Sequence, residues 1–171
     1  LVDKSLLQRN PSGRYEIHEL LRQFGAERLL AAGEDERIHQ QHLGYFVSMV
    51  KEAEPHLRYG AKQISWLDHL DEEQDNLRAA LEWSLNNNAD AAQQLAGALW
   101  WFWHLRGHIF EGHQWIKKIL ALGDEETLVR ATLLGKAGQQ AFVLNYQKDS
   151  KSFCDNSITM LQTLGHESGQ A

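Results

Sequence analysis

The chain has 171 residues, 43% of them hydrophobic, with six Trp and a formal net charge of -6. So much apolar material supports a packed core and excludes a disordered chain, and abundant Leu, Ala, Gln and Glu with only two Pro favour helix over strand. The acidic balance excludes direct binding of duplex DNA, which calls for a basic patch; the single cysteine excludes an internal disulfide and suits the reducing cytoplasm.

The chain opens on Leu1-Val2-Asp3-Lys4, with no starting Met and no basic stretch leading into an apolar one. It therefore reads as beginning inside a longer protein, without a signal peptide. Ser5 to Arg9 and Arg14 to Ile17 flank Asn10-Pro11-Ser12-Gly13. Pro fixes one backbone angle and Gly permits a positive one, so a short two-stranded ribbon is expected here.

A helix is expected from His18 to Ala32. Leu20, Leu21, Phe24, Leu29 and Leu30 form its apolar stripe, and Gly33 stands where a left-handed C-cap is wanted. The next helix spans Glu34 to His56, with His42, Tyr45, Phe46, Met49, Val50 and Ala53 near one face. Gln63 to Leu85 reads as one bent helix or two short ones, carrying Trp66, Leu67, Leu70, Leu77, Leu81 and Leu85. The acidic stretch from Asp71 to Asp75 reads as a solvated helix start, where negative charge suits the dipole.

Asp90 is expected to cap a helix from Ala91 to Leu105. This helix is apolar on nearly every face and should be deeply buried. Its Leu99 to Trp103 run is far shorter than the ~20 residues that span a bilayer. Trp100, Trp101, Phe102 and Trp103 point in four directions, so they read as core before they read as a ligand pocket, with Trp101 or Trp103 the exposed exception. Further helices are expected over Phe110 to Leu122, Glu125 to Leu144 and Gln147 to Leu164, the last closed by Gly165.

Helix pairs of similar size suggest a repeat array. With Ser150 at the twentieth position of a tetratricopeptide unit, Gly138 falls at the eighth and Ser157 at the twenty-seventh, all three small, as close helix crossing demands. With Gly112 at the twentieth, Trp100 and Ile119 fill the other two places, so the first pair fits only loosely. The final Gly165 to Ala171 stretch reads as a turn into a further repeat.

Candidate chemistry is sparse. His39 and His42, and His104 and His108, have helical spacing for shared metal ligation, but Gly107 breaks the second pair and neither has a third ligand nearby. Gly135-Lys136 imitates the end of a phosphate loop, yet Arg130 stands where the first Gly belongs and Ala137 where Ser or Thr belongs. Cys154 is expected to face a helix partner as a small apolar residue. No catalytic residue and no metal site are expected.

Asp75-Asn76-Leu77-Arg78-Ala79-Ala80-Leu81-Glu82-Trp83 resembles a signature of signal-transducing ATPases of the STAND class, as do Arg14 to Phe24 and Trp66-Leu67-Asp68-His69-Leu70. Over essentially the whole chain it resembles the LuxR-like and antibiotic-regulator ATPases of bacteria, and more distantly NB-ARC proteins. The resemblance implies an all-α tetratricopeptide-like superhelix of helical hairpins with a short N-terminal β-hairpin left from a winged helix. Residues 1–33 would end the winged-helix domain, 34–89 form a helical linker bundle, and 90–171 begin truncated tetratricopeptide-like repeats. Asp75, Asn76 and Arg78 would tie a helix junction, with Leu77 and Trp83 packed in it.

The resemblance also places Ile17-His18-Glu19 at the family's Met-His-Asp motif. His18 would contact the β-phosphate of ADP in the intact protein, and Ile17 and Glu19 are the departures. ATP or ADP with Mg would bind an upstream domain of the same chain, leaving this part a non-enzymatic scaffold that restrains that domain. Its other partner would be a small-molecule inducer or a protein; nucleic acid and membrane are not expected. The alternative is a tetratricopeptide-like protein-protein adaptor without a nucleotide switch.

Overall fold

The computed structural model describes residues 7–9, 13 and 15–168, and these fall into two compact units, residues 1–41 and 42–171. Helix dominates both, with eight α-helices among the described residues.

In the first unit β1 (Leu7–Arg9) pairs antiparallel with β2 (Tyr15–Ile17), Leu7 opposite Ile17 and Arg9 opposite Tyr15. Of the expected turn, Asn10, Pro11 and Ser12 lie outside the described residues. Helix α1 (Glu19–Ala32) is capped by His18, whose backbone is extended and whose ring accepts the Leu20 N–H, and it ends at Gly33 in the left-handed region with φ 68°. There the Glu34 N–H returns to the Leu29 carbonyl and the Gly33 N–H to Leu30, satisfying the last turn. The apolar stripe of α1 stays on the surface: no α1 residue is buried, and Leu20, Phe24 and Leu30 are 68%, 53% and 71% exposed.

Helix α2 (Asp35–Leu57) runs from the first unit into the second. Leu43, Phe46, Val50, Ala53 and Leu57 are buried at alternating steps of three and four, which is one helical face. Leu43 and Leu57 thus join the expected set, and Tyr45 leaves it, 62% exposed. The following stretch is two helices, α3 (Gln63–Glu72) and α4 (Gln74–Asn87), parted at Glu73, whose N–H reaches back to the His69 and Leu70 carbonyls.

Helix α5 (Ala89–Leu105) begins earlier than expected, because Asn88 and not Asp90 caps it, its side chain accepting the Ala91 N–H at 3.0 Å. It packs against α4, α6 (Ile109–Leu120) and α7 (Leu128–Val143). Its burial agrees with its apolar surface: Trp100, Phe102 and Trp103 are buried, and Trp101 is the half-buried exception. Helix α7 starts at Leu128 rather than at Glu125, because Thr127 caps it, its hydroxyl accepting the Arg130 N–H at 3.1 Å. Helix α8 (Gln147–Ser168) runs through Gly165, which does not end it.

Contacts between α7 and α8 show them running in opposite directions. The Ser150 hydroxyl donates to the Gly138 carbonyl at 2.9 Å, and the Ser157 hydroxyl to the Ala131 carbonyl at 2.7 Å, so later residues of one meet earlier residues of the other. The core of the second unit joins Val50, Leu70, Leu81, Leu99, Phe102 and Ile116.

Candidate functional site

His18 lies on the surface between β2 and α1. Its Nδ1 accepts the Leu20 N–H at 3.3 Å, which puts the proton of a neutral ring on Nε2. Beside it, Glu19 binds the Arg22 guanidinium at 2.7 Å, a contact that holds its carboxyl down at about 2.

The segment from Asp75 to Trp83 lies in α4 and does structural work at a junction. Leu77 and Leu81 are buried, and Trp83 is partly buried against the core. Arg78 forms a two-pronged ion pair with Glu111 of α6, at 2.7 and 2.8 Å, and also reaches Asp75 at 3.2 Å. The Arg78 hydrogen bond lowers the Glu111 pKa, and the same pairing raises that of Arg78. Asn76 donates to Glu73 at 2.6 Å.

The acidic stretch from Asp71 to Asp75 is not simply a solvated helix start. It spans the α3–α4 break, where Asp71 pairs with Arg106 at 2.8 Å and Gln74 meets His108 Nε2 at 2.7 Å. Arg106 also pairs with Asp68. These contacts bind the α3–α4 corner to the turn between α5 and α6, a turn in which Gly107 holds φ 79°.

The remaining candidates do not converge. Gly107 parts His104 from His108, and among the described residues no group of three His, Cys, Asp or Glu could hold a metal ion. His104 instead stacks on Trp100, with ring centroids 5.5 Å apart. Cys154 faces Gly138 as a helix contact. Among the described residues no helix is long and apolar enough to cross a membrane.

A groove of about 280 Å³ lies between α2, α5 and α7. Lys51 and Glu54 line one side, Gln93, Gly97 and Ala98 the floor, and Leu128, Val129 and Leu133 the other side. Leu128 and Val129 are exposed on its rim. Lys136 stitches the three helices together, donating to the Gly97 carbonyl at 2.7 Å and to Glu54 at 3.2 Å. The buried Gln93 Oε1 has no hydrogen-bond partner among the described residues. An apolar wall with a few polar groups suits binding. Sequence periodicity does not reveal the groove, because its walls come from three helices that are not neighbours along the chain.

No protein-family model matches the chain, and no solved structure matches it. Over 124 residues, 70% of the chain, it is 32% identical to proteins provisionally named HTH-type transcriptional regulators from Mycobacterium bovis (strain ATCC BAA-935 / AF2122/97) and Mycobacterium tuberculosis (strains CDC 1551 / Oshkosh and ATCC 25618 / H37Rv). The match covers 14% of the length of each relative. The chain is thus similar to one stretch of larger transcriptional regulators.

Proposed function

We propose that this chain is the sensing and self-restraining arm of a nucleotide-switched transcriptional regulator of the STAND class. The observation that carries the reading is the match to a stretch of much larger regulators. In this reading α5 to α8 are tetratricopeptide-like hairpins, the groove between α2, α5 and α7 takes a small-molecule inducer or a protein segment, and an upstream domain of the same chain binds ATP or ADP with Mg. The arm is not an enzyme and makes no direct contact with nucleic acid. A ligand would act by binding the open state more tightly than the closed one.

His18 supports the nucleotide contact by its geometry. With Nδ1 accepting from the Leu20 N–H, a neutral ring carries its proton on Nε2, ready to donate to a phosphate oxygen. A second reading, a protein-binding adaptor without a switch, is favoured by the groove alone, since the groove needs no nucleotide.

The test is to purify the intact protein, identify released nucleotide by chromatography, and repeat with His18→Ala. ADP bound by the parent and lost or weakened in the variant is the expected result. A well-folded parent that carries no nucleotide overturns the switch and leaves the adaptor.

A further inference from the structure

The last helix pair carries a polar cleft unrelated to His18 or to the groove between α2, α5 and α7. It is open to solvent, with a volume of about 640 Å³, and is lined by His113 and Lys117 of α6, Asn145 and Tyr146 of the α7–α8 turn, and Lys148 and Asp149 of α8. Three features of this wall bear on what it could hold.

The first is His113. Its side chain is fully buried, and among the described residues neither ring nitrogen has a hydrogen-bond partner. Its neighbours are aromatic: the Tyr146 and Phe153 ring centroids lie 5.7 and 6.2 Å away. Leaving a buried polar group unpaired is unfavourable, and such groups in folded proteins call for an explanation.

The second is the start of α8. The first bond of its ladder runs from the Ser150 N–H to the Tyr146 carbonyl at 2.9 Å. The N–H groups of residues 147–149 therefore precede the ladder, at the positive end of a 22-residue helix. Helix starts of this kind attract anions.

The third is charge. Lys117 and Lys148 stand against Asp149, which pairs with Lys117 at 3.0 Å, leaving one net positive charge. A singly charged anion matches this wall, whereas a dianion would meet Asp149 with excess negative charge.

We infer that this cleft binds a small organic carboxylate, seated on the first turn of α8 beside Lys148 and hydrogen-bonded to His113. The ring of His113 lies beneath Tyr146, which is 41% exposed. Binding requires the Tyr146 ring to turn aside, and the carboxylate then gives the imidazole the hydrogen-bond partner that the described residues do not supply. The inference involves only α6 to α8 and stands apart from the nucleotide switch.

The test is an NMR titration of the 171-residue chain with sodium benzoate, inorganic phosphate and sodium chloride at matched ionic strength. The amides of residues 147–149 and the rings of His113 and Tyr146 are followed. Benzoate is expected to give saturable shifts at all of them, with phosphate weaker and chloride without saturation. His113→Phe keeps a ring and removes the unpaired nitrogens, so it should fold as well as the parent while binding benzoate about tenfold more weakly. Lys148→Ala, at an exposed position, should weaken binding in the same direction. Absence of saturation with benzoate overturns the proposal, as does unchanged affinity in a folded His113→Phe. Should that variant fail to fold, unchanged affinity in Lys148→Ala overturns it alone. Phosphate saturating at lower concentration than benzoate overturns the carboxylate assignment.

Discussion

Two helix pairs, α5 with α6 and α7 with α8, each approach closely at a glycine, but they close the contact with different chemistry. At Gly112 an added Cβ would lie 2.5 Å from the ring of Trp103, so a large aromatic fills the crossing. At Gly138 it would lie 2.5 Å from the Cys154 sulfur and 3.2 Å from the Ser150 carbonyl, so small residues fill it. The second pair also buries the Ser157 hydroxyl and gives it the Ala131 carbonyl at 2.7 Å. Close packing therefore does not require small residues on both helices; it requires one missing side chain and a partner that fits the space.

The sharpest way to break this comparison is Gly112→Ala. The ring atoms in the way are Cγ, Cδ2 and Cε3, near the root of a buried indole. Overpacking of a core costs about 1–3 kcal/mol, less the roughly 1 kcal/mol by which Ala favours helix over Gly. Because the clash is with the root of a buried ring, the cost should lie at the upper end of that range, and chemical denaturation should show a net loss of about 2 kcal/mol. A variant as stable as the parent would mean that the indole moves freely. Gly138→Ala should cost less, a net of about 1 kcal/mol after the same helix gain, because the sulfur can rotate away while the Ser150 carbonyl at 3.2 Å stays in place. Cys154→Ala in the same chain should recover most of that loss, and a double-mutant cycle without coupling would deny the contact.

The difference between the pairs also explains what could be read from the residues. Gly138, Ser150 and Ser157 are small at a fixed spacing, so their close approach is legible in the sequence, and both serine hydroxyls meet carbonyls of α7. Gly112 and Trp103 match no spacing rule, since the indole fills its space by shape. Helix positions follow the apolar periodicity, but ends depend on which polar side chain caps: Asn88 rather than Asp90, and Thr127 rather than a start at Glu125. Gly165 misled because glycine disfavours a helix without forbidding it. The Arg78–Glu111 pair joins residues 33 apart, and no local pattern announces it. The exposed stripe of α1 shows that helical periodicity alone does not report burial.

The smallest expected effect concerns the polar groups near these crossings. Ser150 and Ser157 are satisfied by carbonyls of α7, whereas the buried His113 of α6 has no partner among the described residues. Burial, chiefly, lowers the His113 pKa; the charge of Lys117 acts in the same direction, and Asp149 opposes both. A histidine free of the fold titrates near ~6.5, so the unfolded chain binds the proton more readily than the folded one. Stability is therefore fully present above that pH and declines as pH falls below it toward the folded-state value. His113→Phe removes the titration, so its denaturation midpoint should fall less than the parent's between about pH 7 and 5. Parallel declines in parent and variant would show that the imidazole exchanges protons with solvent as freely in the fold as outside it, and that the α6 side of this crossing is no less satisfied than the α7 side.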